Sequence, residues 1–216
     1  MTDAHELPMF PLGSVLLPGM ALPLQVFEPR YLAMMERVLG SSPPRFGVVL
    51  IERGSEVGGG DVRTDVGCAA EVRSHESTPD GRLLVLAVGT HRIRVERWLP
   101  DDPHPLALVR DWPDEDDGDP GADGPGPADL DRLTGEVADL MDLATELTGR
   151  GPGPIPPLDD DPGTRLHQLA TLAPLGALDR QSVLRAPGVA ERFRVLSTLV
   201  EDQRILLEAR RGFGSG

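Results

Sequence analysis

A chain of 216 residues, 26% of them charged and with a formal net charge of −14, is long enough for a substantial core, in one large domain or two small ones. Its longest apolar runs, around Val48–Ile51 and Leu83–Val88, are strand-sized, far below the ~20 residues a membrane helix needs. The single Cys68 excludes an internal disulfide, and the opening MTDAHELP lacks a basic region ahead of an apolar one, so no secretory signal is expected and cytoplasmic residence is.

The acidity is uneven. Residues 1–112 hold 15 acids and 11 arginines, 113–163 hold 15 and 2, and 164–216 hold 5 and 8. The excess belongs to the middle of the chain and argues against nonspecific binding to nucleic acid or an anionic membrane surface. There is no lysine; arginine cannot lose its proton to serve as a general base or Schiff-base amine.

From Pro8 to Leu39 the chain reads PMFPLGSVLLPGMALPLQVFEPRYLAMMERVL. Short apolar runs punctuated by Pro11, Gly13, Pro18, Gly19 and Pro23 predict brief strands rather than one long element. Pro18-Gly19 has type II turn chemistry, with proline presetting the first φ and glycine taking the positive one. Leu24–Phe27 is extended, and Glu28-Pro29 opens a helix, since proline at the first position forfeits only an N–H that is unpaired anyway. Tyr31, Leu32, Met35, Val38 and Leu39 form its apolar stripe.

After a turn over Gly40–Pro44, RFGVVLI (45–51) reads as a buried strand. Arg53–Asp65, with Gly58-Gly59-Gly60, reads as a loop or hairpin tip. Val66, Cys68, Ala70 and Val72 alternate along a half-buried strand. Asp80-Gly81 is a hairpin turn signal, leading into Leu83–Val88 as a continuous apolar strand. Beyond Gly89, HRIRVERW places Ile93 and Val95 inward and Arg92, Arg94 and Glu96 outward. Leu106–Trp112 closes the set. Six or more short strands with frequent turns predict a small closed or partly closed barrel.

Residues 113–128 are 8 Gly or Pro and 6 acids, a composition that builds no core and reads as a solvated linker; no register from Asp114 or Asp119 supplies the glycine and glutamate of a calcium loop. Helical spacing follows: Leu130, Leu133, Val137, Leu140, Met141, Ala144 and Leu147 up to Gly149. A Gly/Pro-rich loop spans 149–163. Asp161-Pro162 caps a helix carrying Leu166, Leu169 and Ala170, another spans Leu178–Leu184, and Pro187 starts the longest. Its buried side is predicted as Val189, Phe193, Leu196, Leu199, Leu206 and Leu207.

The run PMFPLGSVLLPGMALPLQVFEPRY resembles the start of the Lon protease N-terminal, or substrate-binding, domain. VGCAAEV, VGTHRIRVERW and PLALVRDWPDE resemble its later strands in the same order, and LDRQSVLRAPGVAERFRVLSTLVEDQ more loosely resembles the helical part that follows. The resemblance implies an α+β fold: a small PUA-like β-barrel with an inserted helix over 1–112, the acidic linker at 113–128, and a C-terminal α-helical bundle over 129–212.

Chemistry is expected to be absent. There is no G-x-x-x-x-G-K-[ST], no lysine for a serine–lysine dyad, no G-x-S-x-G and no HExxH, and the five histidines lack ligand spacing. Cys68 falls on an inward strand face and reads as an inert core thiol. No catalytic residue, metal or cofactor is therefore expected. The resemblance implies a non-enzymatic module that binds apolar or unfolded polypeptide segments or a protein partner, with an adaptor role in proteolysis; the alternative is a PUA-like module for nucleic acid or a small ligand. Aromatics at 4% of the chain count against base recognition. Candidate contact residues are Met20, in the Leu16–Leu24 segment, and Arg30, Ala33, Met34 and Arg37, on an expected exposed face of the helix that follows, because methionine adapts to varied apolar partners. The junction between barrel and bundle is a second candidate.

Overall fold

The computed structural model describes residues 3–53, 62–115, 124–149 and 153–214. The chain divides into two compact units, 1–113 and 114–216. The first holds β1 (His5–Leu12), β2 (Ala21–Val26), α1 (Pro29–Leu39), β3 (Arg45–Arg53), β4 (Val62–Ser77), β5 (Leu83–Leu99) and β6 (Leu106–Asp111). The strand order is β2-β5-β4-β3-β1-β6, and β6 pairs β5 as well. Strands β5, β4, β3, β1 and β6 thus close a ring, while β2 lies outside it along the first half of β5. Among the described residues only the β1–β3 pairing is parallel.

Local chemistry sets the corners. Met20 N–H donates to Leu17 O at 3.0 Å across Pro18-Gly19, with Gly19 at φ 81°, the type II geometry glycine permits. Pro29 occupies the first turn of α1 after an extended Glu28. At the β4–β5 hairpin, Gly81 N–H reaches Thr78 O at 3.0 Å.

Two cores form on opposite faces of the sheet. Phe10, Val48, Cys68, Ala70, Val85 and Ala87 pack with Tyr31, Met34, Met35 and Val38 of α1. Leu7, Met9, Val49, Ala69, Ile93, Ala107 and Val109 fill the other side. Adjacent residues such as Met9 and Phe10, or Val48 and Val49, serve different cores. That is the reason RFGVVLI shows no alternation: both of its faces are buried.

Leu83–Val88, expected as a continuous apolar strand, is the first half of β5; Leu84 and Leu86 on it are 40% and 42% exposed, because here the sheet covers a core on one face only. Three expectations about this unit are corrected. Arg92 is buried rather than outward. A register shift opposite Ala69/Ala70 inserts Thr90 into β5, so odd residues before it face the α1 core and Ile93 after it faces the other. Arg92 thereby lands on the face of Cys68, with its guanidinium 4.2 Å from the Trp112 ring centre and Nη2 donating to Pro113 O at 3.2 Å. β4 starts at Val62, within the stretch read as loop; residues 54–61, including the glycine triplet, lie outside the described residues. Met34, the third, is treated below.

The second unit holds α2 (Pro127–Thr148), α3 (Pro162–Leu172), α4 (Ala177–Arg185) and α5 (Val189–Gly214), with α5 packed against the other three. Gly149 ends α2 at φ 66°, and Asp161 accepts from Thr164 N–H at 2.8 Å to cap α3. Pro127 opens α2 two residues inside the stretch read as linker. Of that stretch, 116–123 lie outside the described residues, as do 150–152 of the second loop. Before them, Glu115 N–H donates to Pro187 O at 3.0 Å, and the Asp114 carboxylate receives both terminal nitrogens of Arg192. The buried stripe of α5 is Arg192, Leu196, Val200 and Leu207, while Leu206 is 45% exposed and Val189, Phe193 and Leu199 are half-buried. The ion-paired Arg192, which was not among the residues expected on that side, joins the buried stripe, while the expected Phe193 beside it is half-buried.

Candidate functional site

The contact residues named from sequence do not assemble into one exposed face. Met34 is fully buried in the α1 core, and Met20 is half-buried against the same core. The buried stripe of α1 is Tyr31, Met34, Met35 and Val38, spaced i, i+3, i+4, i+7. Counting Leu32 and Leu39 instead, both only partly buried, turned the assigned face by one position. Ala33 is half-buried. Arg30 is half-buried, with Nε 3.2 Å from Glu28 and its guanidinium 4.5 Å from the Tyr31 ring centre. Arg37 alone is exposed, 3.8 Å from Glu6.

What the fold leaves open lies beside that helix, around β2. A groove of about 240 Å³ is lined by Phe10 and Leu12 of β1, Pro23 to Val26 of β2, Phe27, Glu28 and Tyr31. Phe10 and Tyr31 stack at its floor, ring centres 4.2 Å apart, and Phe27 stands 58% exposed at its lip. A second hollow, about 560 Å³, shares Pro23, Leu24 and Gln25 with the first and continues over the outer face of β5 and β4. Register explains its lining: Pro23, Leu86 and Ser74 lie side by side, as do Gln25, Leu84 and Glu76. An apolar centre is thus rimmed by polar residues, the pattern of an interaction surface rather than of scattered exposed leucines. His75 links this hollow to a third, about 320 Å³, bordered by Leu32, Glu36 and Leu39 of α1.

Reactive groups do not converge there. Burial pushes the Cys68 thiol up to about 12, outweighing the backbone hydrogen bonds of Thr90 and His91; the thiol form persists, and with it little nucleophilicity. The nearest approach to a relay is Thr90–His91–Asp111, with His91 Nδ1 3.0 Å from Thr90 Oγ1 and Nε2 3.1 Å from Asp111. The Thr90 hydroxyl also donates to Ala69 O at 3.0 Å, which ties it to the bulge it creates. Among the described residues no three His, Cys, Asp or Glu side chains are grouped to hold a metal, and no helix is long and apolar enough to cross a membrane.

The model of the ATP-dependent protease La (LON) substrate-binding domain matches residues 6–202. The chain belongs to the Lon substrate-binding domain family. Lon protease 2 of Thermus thermophilus is 27% identical over 96% of this chain, and Lon protease 2 of Herpetosiphon aurantiacus 28% over 94%. The chain spans about a quarter of the length of these relatives, 25% and 24%. A Lon N-terminal domain protein from Xanthomonas campestris superimposes with a TM-score of 0.63 at 29% identity, covering 90% of this chain and 98% of its own. The N-terminal domain of a Mycobacterium avium complex Lon protease shares the fold at 16% identity, with a TM-score of 0.58 and coverage of 92% and 99%. The mixed fold expected for a Lon domain, sheet with inserted helix and then helices, is the one observed.

Sequence reasoning missed the groove of this Lon domain because β1, β2 and α1 meet there only in three dimensions. One signal was available. Pro23 inside a strand marks an edge, and beside an edge the outward side chains of the next strand are candidates for exposure.

Proposed function

We propose that this Lon substrate-binding domain recognises apolar segments of unfolded polypeptides on the surface formed by β2 and the first half of β5, performs no chemistry itself, and acts in the cytoplasm as a recognition module or adaptor for proteolysis. The observation that carries this reading is the exposure of Phe27, just past the end of β2, and of Leu84 and Leu86 on the neighbouring β5, each at least 40%, in a family whose matching model is described as substrate-binding. Large exposed apolar side chains grouped in this way suit ligands offering aliphatic or aromatic side chains at many different sequences. Nucleic acid is the weaker reading. Both tryptophan rings are already covered by the protein's own arginines, Arg63 on Trp98 and Arg92 with Arg94 on Trp112, and Arg63 and Arg110 are ion-paired to Asp101 and Glu96.

The test is fluorescence anisotropy of a labelled unfolded protein, such as casein, titrated with the parent chain and with a Leu84→Asp/Leu86→Asp variant. Micromolar binding by the parent is expected, weakened about tenfold or more in the variant, since losing one buried leucine contact is worth ~1.5 kcal/mol. Equal binding by both would remove this surface as the site. Salt-sensitive micromolar binding of structured RNA instead would favour the other reading.

A further inference from the structure

Among the described residues β2 is the last strand of its sheet and pairs with β5 alone, Ala21–Val26 against Val88–Leu83. At the head of that ladder Met20 O accepts from Gly89 N–H at 2.9 Å. Even-numbered residues therefore turn their main-chain groups toward β5, and Ala21, Pro23 and Gln25 turn theirs away. Pro23, opposite Leu86, obeys this parity, since a strand tolerates proline where the missing N–H would face outward. The open edge then presents the carbonyls of Ala21, Pro23 and Gln25 and the N–H groups of Ala21 and Gln25. Exposed edges are commonly blunted by charge, proline or a bulge. Here Pro23 removes one outward donor, but ALPLQV carries no charge, and its ladder with β5 runs without a register shift. The groove floored by Phe10, Leu12 and Tyr31 runs alongside this same edge.

We infer that the occupant of the groove is an extended polypeptide segment added to β2 as a further strand. This mode of binding rests on the polypeptide-binding reading above and specifies its chemistry. Main-chain donors and acceptors repeating at strand spacing are complemented by another main chain and by few other ligands, while alternate side chains of that chain drop onto the apolar floor. Affinity then comes largely from backbone hydrogen bonds, which every sequence except proline supplies, and the floor selects apolar residues at every second position. Opposite Pro23 the incoming strand gains one hydrogen bond instead of two.

The probe is a short synthetic peptide alternating valine and threonine, with terminal arginines, titrated by anisotropy against the full chain. Two N-methylated forms remove the amide hydrogens of one parity or the other without altering any side chain. A Gln25→Pro variant removes an outward donor of the protein while sparing the ladder to β5, and its thermal midpoint reports whether the fold survives. Strand addition predicts that one methylated form binds about tenfold or more weaker, that the other stays within about twofold of the parent peptide, and that Gln25→Pro weakens binding of the unmethylated peptide. If both methylated forms bind like the parent peptide, strand addition is wrong and polypeptide binding by side-chain contact stands. No binding of the unmodified peptide overturns the mode and the reading together. Self-association of the chain that Gln25→Pro abolishes, without peptide binding, assigns the edge to a second copy and overturns the inference.

Discussion

Asp114→Ala tests the most sharply defined electrostatic feature of the helical unit. Arg192 is fully buried, and its Nη1 donates to Asp114 Oδ2 at 2.9 Å while Nη2 contacts the other oxygen. Its Nε has no partner among the described residues. Guanidinium stays protonated in proteins, so deleting the carboxylate strands a cation out of reach of water, a change that costs ~3–5 kcal/mol. Arg192→Met is the asymmetric control. Asp114 keeps 18% of its side chain exposed and can be solvated, while methionine refills the apolar part of the space, so the cost is ~1–2 kcal/mol. Urea unfolding followed by far-ultraviolet circular dichroism reads the helical unit; Trp98 and Trp112 both fall in the first unit and report it separately by fluorescence. With a urea slope of ~1–3 kcal/mol/M, the helical midpoint should fall by roughly 1–5 M in Asp114→Ala. The reasoning is refuted if Asp114→Ala lies within about 0.5 kcal/mol of the parent, or if Arg192→Met proves the costlier change.

Gly89→Ala should destabilise the first unit by ~1–3 kcal/mol, because a Cβ there would sit 2.3 Å from Leu17 O, a backbone atom that cannot swing aside; an unchanged thermal midpoint would show that the loop yields. Met34→Ala should cost ~2–5 kcal/mol and Arg37→Ala less than about 0.5, and equal effects in denaturant titrations would place the two on the same kind of surface after all. Cys68 should resist maleimide or disulfide reagents at pH 8 in the native chain and react once unfolded; stoichiometric native labelling would contradict its burial. Its pKa is raised from 9.0 to about 12, so the folded state holds the proton while the unfolded state releases it. The resulting contribution is fully present below pH 9 and lost as pH rises toward 12, visible as a thermal midpoint that falls across that window and falls less in Cys68→Ala.

Features governed by neighbours in the chain were legible. Pro18-Gly19, Glu28-Pro29, Asp80-Gly81, Gly149 and Asp161-Pro162 each fix a corner or a cap through the φ preference or hydrogen-bonding reach of one or two residues. What stayed hidden depends on partners far along the sequence. Arg92 and Arg192 look like surface residues until Trp112 and Asp114 are placed beside them. Met34 was lost because Leu32 and Leu39 make a competing stripe whose burial only the sheet decides. LLVLAV reads as one continuous apolar run, and nothing within it reveals that only the face of Leu83, Val85 and Ala87 is covered by a core.

Strand β5 contributes Val85 and Ala87 to one core and Ile93 to the other, and β4 does the same with Cys68 and Ala69. Neither hydrophobic cluster can therefore loosen while the second keeps its walls. Slowly exchanging amides along both long strands should report a single opening free energy from end to end, with no partly unlatched state between native and unfolded for this half of the molecule.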